Sequence, residues 1–543
     1  MDDLLITNAR RIADGAPLSV AVKDGRITRV NGPMAEAAQV IDAGGRWIGP
    51  AFVESHLHIF SGGVALNRLN LAHVHDEATL AAELRTWAET RADLPLICGY
   101  GANYDLVGAG RRPDRHILDA ILPDQPLFIV STDLHAGWAN TAALRACGFM
   151  DQLPDLQGAE VVLGPDGLPN GELRENGAMD PVYALDLNGG RENLGIGGHD
   201  PGPVSEADRR ADKLAILDAL TACAAQGITL AVNMDGNLYQ ADLFTELARD
   251  DLLPIRVSLP MTIAPDHDDA RIAALLEAAG RGPVGKLSFG RVKMFMDGVF
   301  DTWTALRTDD YPDRPGFRGD PLFAPERFAE ICTRADAAGL QIATHCVGDG
   351  AVRAVVDGYA AAARANGLQG TRHRIEHLDM VHPAEVPRIA ELEITASMQP
   401  VHPPGSAGLP LEPTISIMGR DRWRDTFLWA RLRAAGVPLA FGTDWPVSPL
   451  SPMGAIHAAL SRKTWAEEVP DQRLPLAEVF AAYTAGGARA DHKDGLLGRL
   501  APGLSADLIL LDGDPRRLIC TPEACTVALT LCAGRTVHDT LSG

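Results

Sequence analysis

Two histidines separated by a single residue, His56 and His58, are the clearest candidates for metal binding in this sequence. The apolar run that precedes them, residues 48–53, predicts a buried β-strand. Residues i and i+2 of a strand point to the same face, so both imidazoles would emerge together where the strand ends. Two imidazoles on one rigid element can bind a single divalent cation. The pair is therefore a candidate corner of a metal site, provided that other elements supply further ligands.

Other apolar runs predict the elements that would supply those ligands. Eight candidate strands alternate with helical segments rich in alanine and leucine, a pattern typical of βα units around a parallel sheet. The strands cover residues 47–58, 228–234, 255–259, 290–297, 341–346, 373–377, 394–399 and 439–444. Eight is the strand count of a closed (β/α)8 TIM barrel of the α/β class, whose active site lies at the C-terminal ends of the strands.

Those strand ends carry further side chains that can bind a metal. His345, His377 and Asp444 each close an apolar run, as His56 and His58 do. Taken alone, each of these residues could simply be a core or surface residue with ordinary structural partners. Histidines and an aspartate at the ends of several separate strands together indicate one shared site.

Lys293 lies within the apolar segment 290–297, where a buried ammonium group would be costly. One interpretation is that it snorkels or pairs with Asp297. The other is that its neutral amine reacts with carbon dioxide to form a carbamate. Two neighbouring cations would favour loss of the ammonium proton, and the new carboxylate could bridge both of them.

Two further histidine motifs are not predicted to form metal sites of their own. His73 and His75 follow no apolar run, and Asp76 after them is typical of a helix N-cap, so this pair is expected at the surface. The segment from His373 to His377 matches the His-x-x-Glu-His pattern of inverted zincins, which needs a helix. This segment alternates like a strand, which would hold its two histidines roughly 13 Å apart at about 3.3 Å per residue. A protease function is therefore rejected.

Both ends of the chain are predicted to form short strands joined by tight turns, unlike the alternating strands and helices of its middle. Residues 1–48 and 496–543 are predicted to form one small β-sandwich domain together. The barrel would occupy residues 49–495. The long stretch after the first barrel strand, residues 60–205, exceeds any ordinary loop and predicts an inserted subdomain over the barrel mouth.

Composition excludes several classes of partner. The formal net charge of −22 over 543 residues gives no electrostatic case for binding nucleic acid or an anionic membrane surface. No signal peptide or membrane-spanning run is visible, and the eight cysteines are scattered without a Cys-x-x-Cys pair. A cytoplasmic protein acting on a small-molecule substrate fits these features, and a homo-oligomer is compatible with them.

As a set, the motifs closely resemble those of the amidohydrolase superfamily, in particular amidohydrolase family 3, the branch that includes N-substituted formamide deformylases. The resemblance extends over essentially the whole chain. Its motifs are residues 4–8, 52–58, 133–140, 292–298, 344–349, 374–377, 441–446 and 498–507. Two positions depart from the usual pattern: Glu54 replaces an aspartate and Ala51 replaces a glycine. Neither change removes a ligand.

The resemblance implies a specific ligand set. In the family, the residues that match His56, His58 and Asp444 hold one metal. Those that match His345 and His377 hold a second metal, and a carboxylated lysine matching Lys293 bridges the two. The branch is less uniform in the number of metals than in the ligands, so one or two ions are expected.

The resemblance also implies a metal-dependent hydrolase. The donor set suits Zn²⁺ better than Mn²⁺, Fe²⁺ or Co²⁺, and such a metal would lower the pKa of bound water toward ~7 and supply hydroxide. Asp444 would accept the proton and return it to the leaving nitrogen. The expected reaction is cleavage of a non-peptide C–N bond in an amide, formamide or cyclic amide. Two alternatives are hydrolysis of an ester, lactone or carbamate at the same centre and a non-catalytic binding protein.

Five residues match the resemblance at positions suited to substrate contact, although a structural hydrogen bond would explain each one equally well. They are His135, Trp138, Asn140, Glu175 and His402.

Overall fold

The computed structural model describes residues 1–32, 36–132, 136–156 and 159–541, which form an α/β protein. The chain divides into two compact units. The first comprises residues 1–59, 196–199 and 220–543, and the second comprises residues 60–195 and 200–219. All residues of the candidate metal site lie in the first unit.

An eight-stranded sheet in the first unit draws its strands from both ends of the chain. The strand Trp47–Pro50 stands near its middle, parallel to Asp2–Arg11 and antiparallel to Leu508–Asp512. Alternate residues of these strands, such as Ile6 and Leu510, are buried in one apolar cluster. The strands are Asp2–Arg11, Pro17–Lys23, Arg26–Val30, Ala37–Asp42, Trp47–Pro50, Leu508–Asp512, Thr526–Cys532 and Arg535–Asp539.

Two parallel sheets, of four and six strands, form the rest of the strand structure of this unit. The first contains Leu287–Ser288, Arg256–Ser258, Ile228–Asn233 and Phe52–Leu57 in spatial order. The second contains Met261–Thr262, Arg291–Phe295, Gln341–Cys346, Arg374–His377, Thr395–Met398 and Leu439–Phe441. Their register aligns His345 with Glu376 and Cys346 with His377, so the candidate ligands reach the same end of the sheet.

Helices follow most of these strands and bury one apolar face each, for example Leu275 and Ala279 or Ile331 and Ala335. They are Leu238–Arg249, Asp269–Ala279, Pro325–Ala337, Asp349–Asn366, Glu385–Glu391, Thr414–Met418, Trp429–Ala434, Pro452–Ser461, Leu476–Ala481 and Gly487–Ala490. A π-helical turn, Ala482–Gly486, joins the last two. Short 3-10 turns cover Phe300–Thr302, Arg420–Asp425, Pro515–Ile519 and Pro522–Ala524.

The second unit is built on its own mixed sheet, with its own apolar core around Leu118 and Trp138. Its strands in spatial order are Glu160–Leu163, Pro169–Arg174, Ala136–Ala139, Leu127–Ser131, Ile97–Ala102 and Leu69–Asn70. Its helices are Ile59–Ala65, Glu77–Glu89, Arg115–Ile121, Thr141–Ala146 and Asn176–Tyr183. The helices Leu194–Gly197 and Glu206–Ala225 contribute residues to both units.

The first predicted barrel strand, residues 47–58, is wrong as a single element. The chain bends at Ala51, and Trp47–Pro50 joins the sheet built from both chain ends, whereas Phe52–Leu57 joins the parallel strands. The continuous apolar run does not show that its two halves join different sheets, because both halves are buried. None of the helices in the described ranges has the length and apolar character needed to cross a membrane.

Candidate metal centre

His56, His58 and Asp444 converge at one point of the first unit. Oδ1 of Asp444 lies 3.3 Å from Nε2 of His56 and 3.2 Å from Nε2 of His58. All three side chains are nearly inaccessible to solvent. Their donor atoms lie within 4.8 Å of one another, close enough to surround a single ion. The structure thus brings together the three residues predicted for the first metal.

Each of three imidazoles has its Nδ1 atom occupied by a side-chain oxygen outside this cluster. Nδ1 of His56 lies 2.7 Å from Glu376, and Nδ1 of His58 lies 2.9 Å from Asp235. Nδ1 of His377 lies 2.9 Å from the side-chain oxygen of Gln399.

Such an acceptor fixes the proton of a neutral imidazole on Nδ1 and leaves the Nε2 lone pair for a metal. Glu376 is itself held by the Arg374 guanidinium through contacts of 2.6 and 3.0 Å. These partners therefore orient the three rings before any ion binds.

The second predicted pair, His345 and His377, lies beside the first cluster. Their ring centroids are 4.4 Å apart, and those of His56 and His377 are 4.8 Å apart. Nε2 of His345 is 3.1 Å from the carbonyl oxygen of Gly298, which leaves its Nδ1 for a ligand bond.

His402, predicted from sequence only as a substrate contact, joins this cluster. Its ring stacks on His377 at 5.8 Å, and its Nε2 is 3.7 Å from Oδ2 of Asp444. His377, His402 and Asp444 form a second group whose donor atoms could hold one ion.

Lys293 is fully buried, and its Nζ has no hydrogen-bond partner within the described part of the chain. Burial lowers the pKa of the Lys293 amine to about 8, against the opposing effect of Glu376 and Asp444. The Lys293 amine also lies 4.6 Å from the centroid of the Phe295 ring. The alternative pairing with Asp297 is not seen, because the Asp297 carboxylate accepts backbone N–H groups of Leu306, Val347 and Gly348.

The pKa values of the cluster residues are shifted by burial and by one another. Burial lowers the pKa of His56 to about 4 and that of His345 to about 3, so both are neutral. Burial also opposes a charge on His58, but the Asp235 and Asp444 carboxylates prevail and raise its pKa to about 9. Asp444 itself has a pKa well below its ordinary range, since the neighbouring imidazoles outweigh its burial. A proton on His58 thus occupies the place that a metal would take.

Backbone conformation helps to present these ligands. His377 and Asp444 have φ angles of 74° and 60°, left-handed values that are uncommon for residues with a side chain. The N–H of Thr443, one residue before Asp444, donates to the buried Glu54 carboxylate over 2.6 Å. Gly442 makes this approach possible, because a Cβ there would lie 2.7 Å from both Glu54 Oε1 and the His56 backbone nitrogen. Strain at such positions is characteristic of functional sites.

The remaining predicted substrate contacts lie in the second unit. Trp138 is fully buried in the apolar core of that unit. The side-chain oxygen of Asn140 accepts the N–H groups of Leu127 and Ala143, and its NH₂ group donates to Leu122 and Gln125. These contacts give Asn140 the structural role that the sequence had left as the alternative.

The other two predicted contacts are Glu175 and His135. Glu175 precedes the helix Asn176–Tyr183 with a φ of 63°. His135 lies outside the described residues, so its predicted contact with substrate stays a prediction.

The structure places His73, His75 and His373 outside the cluster, whereas His377 belongs to it. The side chains of His73 and His75 are 60% and 54% exposed and face Glu83 and Asp105. His373 stands at the opposite end of its strand from His377 and lies 3.1 Å from Asp336. Its Nδ1 accepts the backbone N–H of Ile342.

Sequence reasoning missed the residues that orient the histidines. Asp235 follows the strand Ile228–Asn233, so the same search of strand ends that found His345 would have found it. Glu376 and Gln399 belong to motifs that were recognised, but no rule assigned them a role. They contact the Nδ1 atoms of the candidate ligands, and the spacing of residues in the sequence does not predict such contacts.

The donor set fits a divalent cation. Lys293 Nζ is a buried atom that finds no hydrogen-bond partner among the residues described, and buried polar atoms are normally paired. Asp444 Oδ1 is buried between the imidazole nitrogens of His56 and His58, 3.3 and 3.2 Å away. Neutral imidazoles and a carboxylate are the ligands of zinc and of similar transition metals. A cation among these atoms would bind Asp444 Oδ1 and both nitrogens at once.

Comparison with known proteins agrees with this geometry. Protein LONG AFTER FAR-RED 3 of Arabidopsis thaliana is 28% identical over 531 residues, which cover 94% of this chain and 87% of that protein. N-substituted formamide deformylase of Arthrobacter pascens is 24% identical over 544 residues, with coverage of 95% and 94%. The crystal structure of an uncharacterized metal-dependent hydrolase from Pyrococcus horikoshii superposes with a TM-score of 0.73 at 23% identity, covering 96% of this chain and 99% of that one. This last likeness shows a shared fold.

The fold matches that of the Pyrococcus protein, and the histidine-rich cluster could hold a divalent cation. The family follows from the sequence match over nearly the full length. The chain belongs to the amidohydrolase family, whose model matches residues 39–538. The resemblance predicted from the motifs is thereby confirmed.

Proposed function

We propose that this enzyme hydrolyses a non-peptide C–N bond of a small molecule, namely an amide, a formamide or a cyclic amide. The observation that carries the proposal is the set of three imidazoles held through Nδ1 by Glu376, Asp235 and Gln399. Nε2 of His56 and Nε2 of His58 lie 3.3 and 3.2 Å from Asp444 Oδ1. The formamide deformylase similar to this chain supports the choice of C–N bond. The finer choice among these substrates depends on the tests below.

We also propose that the two parallel sheets are parts of one closed (β/α)8 barrel. Leu57, at the edge of the four-stranded sheet, bridges in parallel to Trp445, just beyond the edge of the six-stranded sheet. At the other edges, Arg256–Ser258 runs on into Met261–Thr262, and Leu287–Ser288 runs on into Arg291–Phe295. Joining these segments leaves eight strands, the number in a TIM barrel. The insertion over the barrel mouth and the β-sandwich remain part of this proposal.

Within that barrel, His56, His58 and Asp444 would hold one divalent metal, most suitably Zn²⁺, and His345 and His377 would hold a second. Such a metal supplies Lewis acidity, polarising a carbonyl group and activating water at neutral pH. In His56 and His377 the proton stays on Nδ1, where Glu376 and Gln399 accept it. Nε2 of each neutral imidazole is therefore free to bind a metal.

Asp444 is the residue placed to move the proton. Its pKa lies well below the ordinary range because the neighbouring imidazoles outweigh burial, so it is ionised at neutral pH. It would accept a proton from the attacking water and pass it to the nitrogen of the leaving amine. As a weak base, it would hold that proton only briefly. His402, 3.7 Å from Asp444, would contact the substrate from the other side.

Lys293 would act as a ligand in its carboxylated form. The lone pair of its neutral amine would attack the carbon of CO₂, a C–N bond would form, and the nitrogen would release one proton to solvent. Burial lowers the pKa of this amine to about 8, which makes the reactive neutral form accessible near neutral pH. Lys293 Nζ has no hydrogen-bond partner among the described residues, and the new carboxylate on it would act as a bridging ligand of two metals.

The test compares the metal-loaded enzyme with Lys293→Ala. The variant is expected to lose most of its bound metal and its activity on amides, and its wild-type parent should show a carbamate carbon after exchange with isotopically labelled bicarbonate. Lys286→Ala is the matched control, since the Lys286 amine hydrogen-bonds to the Leu253 carbonyl oxygen away from the cluster. Unchanged metal content in Lys293→Ala would overturn the bridging role.

Substrate class is tested separately with matched amide and ester pairs. A higher kcat/KM on amides or formamides than on esters supports the proposal. If a broad set of formamides, N-acyl amines and lactams stays intact while esters, lactones or carbamates are cleaved, the C–N assignment is wrong.

A further inference from the structure

Arg462 is a buried arginine whose guanidinium is only partly satisfied. It follows the helix Pro452–Ser461 and is 6% exposed. Its Nη1 donates to the carbonyl oxygen of Phe427 over 2.9 Å. Its Nε and Nη2 are buried and have no hydrogen-bond partner within the described ranges. Burial lowers the pKa of Arg462 to about 10, partly opposed by Asp471 and Asp379, so the group is a cation at neutral pH.

Aromatic rings surround this guanidinium. Its central carbon lies 4.8 Å from the ring centroid of Trp429, 5.5 Å from that of Phe427 and 5.7 Å from that of Trp465. The indole Nε1 of Trp465 is also a buried donor without a partner in the part of the chain that is described. Among the described residues here, the unpaired donors are thus Nε and Nη2 of Arg462 and Nε1 of Trp465. We call the space between the rings of Phe427, Trp429 and Trp465 the aromatic enclosure. A buried donor without an acceptor is destabilising, so such a cluster is costly unless an acceptor occupies it.

Arg462 is connected to the candidate metal centre through one loop. Phe427, which accepts its hydrogen bond, donates its own N–H to the carbonyl oxygen of Asp379 over 2.8 Å. Asp379 lies two residues after His377 on the same segment. Asp379 is also close enough to feel the charges of both Asp444 and Arg462. The enclosure is thus adjacent to the segment that carries a predicted ligand.

We propose that Arg462 and Trp465 form a binding site for a small carboxylate beside the metal centre. Nε and Nη2 lie on one edge of the guanidinium, and that edge matches the two oxygens of a carboxylate in a bidentate pair. All the unpaired atoms are donors, so the ligand must supply only acceptors. The nearby Asp471 is not the missing partner, because its carboxylate already accepts three hydrogen bonds from the Arg473 side chain at 2.6–3.1 Å.

The carboxylate would belong either to the substrate or to a separate effector. In the first case, which rests on the proposed function, the enzyme would prefer N-acyl compounds that carry an acid group, such as N-acyl amino acids. In the second case, a free carboxylate would bind without competing with substrate. The shared chemistry, a bidentate carboxylate on Arg462, is the same for both.

Binding can be measured without any turnover, because two tryptophans, Trp429 and Trp465, lie at the site. The intact, metal-loaded protein is titrated with propionate and with its neutral isostere propionamide at constant ionic strength, and tryptophan fluorescence is followed. Propionate should give a saturable change and propionamide none. Arg462→Gln and Arg462→Lys should each weaken propionate binding at least about tenfold, since both lose the charged fork. The lysine variant keeps the buried positive charge, so weaker binding in both variants is not explained by loss of that charge and a resulting folding defect.

Arg420→Gln is the matched control. Arg420 also lies near an indole, 6.0 Å from the ring centroid of Trp423, but its side chain is 72% exposed and already pairs with Glu468. The propionate titration of this variant should match that of the wild type. An equal response to propionate and propionamide would overturn the proposal, as would an Arg462→Gln titration within twofold of the wild type.

Kinetics then distinguish the two sources. If the carboxylate is part of the substrate, Arg462→Gln raises KM at least about tenfold for an N-acyl amino acid and leaves KM for the matching N-acyl amine unchanged. If it is a separate effector, the titration is lost but neither KM changes. If no amide is cleaved while propionate still binds through Arg462, the proposed function fails and the carboxylate site stands.

Discussion

Replacing Asp235 with asparagine removes the charge behind His58 and keeps the shape of the side chain. Asp235 is fully buried, with one oxygen 2.9 Å from His58 Nδ1 and the other 2.8 Å from Gln240 Nε2. The asparagine oxygen can still accept from His58. Its NH₂ group would face Gln240, whose side-chain oxygen is buried and unpartnered within the described residues and can accept after the amide turns over. Hydrogen bonding is therefore conserved, but the charge interaction with His58 is lost, and the unfolding free energy should fall by about 1.5–3 kcal/mol.

The main effect of Asp235→Asn should be on metal affinity. A carboxylate behind a ligating histidine raises the basicity of the ring, and its loss typically costs about 10–100-fold in metal affinity. This range corresponds to about 1.4–2.7 kcal/mol of binding free energy. The assay strips the protein of metal and titrates it with Zn²⁺ against a chelating indicator. Asp235→Ala should lose more than the asparagine variant, because His58 and Gln240 would then both lack a partner.

The chain provides a matched control for this prediction. Asp336 also contacts a histidine, His373, over 3.1 Å, but His373 directly precedes the strand Arg374–His377 at the end opposite His377. Asp336→Asn should therefore leave the Zn²⁺ dissociation constant unchanged. If Asp235→Asn binds Zn²⁺ within twofold of the wild type, or if both variants lose affinity equally, Asp235 does not tune the metal site.

Three further predictions concern other parts of the first unit. Asp444→Asn should lower kcat by about 10²–10⁴-fold through loss of the proton acceptor, measured on a cleaved amide with the protein loaded at saturating metal; an activity loss below tenfold would contradict this role. Gly442→Ala should lower stability by about 1–3 kcal/mol in chemical denaturation, because its Cβ would lie 2.7 Å from Glu54, whereas Gly495→Ala meets nothing within 4 Å and should be tolerated. Hydrogen bonds and the charge of Arg422 lower the pKa of Asp349 despite its burial, so its stabilising contribution is present above the unfolded value near 3.8 and is lost as the pH falls through the lower folded value. The stability deficit of Asp349→Asn should therefore shrink in acid; a deficit that does not vary with pH would show that this carboxylate is not the titrating group.

Strand periodicity and the position of polar residues at strand ends were enough to predict the ligand cluster. His345 and His377 sit in neighbouring strands in the register that brings them together. That register is set by the buried, continuous apolar strands, which leave few alternative pairings. The ligands were therefore visible because they interrupt an otherwise apolar pattern.

The residues that the sequence did not reveal are those whose role depends on distance in three dimensions. Glu376 contacts His56 across 320 residues of sequence, and Asp235 contacts His58 across 177. Arg462 likewise looks like an ordinary helix-terminal arginine until the rings around it are known. The break at Ala51 was missed for a related reason, since both halves of the apolar run are buried but in different sheets.

The strand Trp47–Pro50 has a consequence for how the protein is made. It pairs with Leu508–Asp512 and leads through Ala51 into the strand that ends at His56 and His58. A ribosome adds residues at about 5–20 per second, from the N-terminus onward. The early strands therefore wait for their partner until almost the entire chain has emerged. We expect the first histidine pair to be fixed in place only near the end of synthesis, so that metal loading during translation is disfavoured.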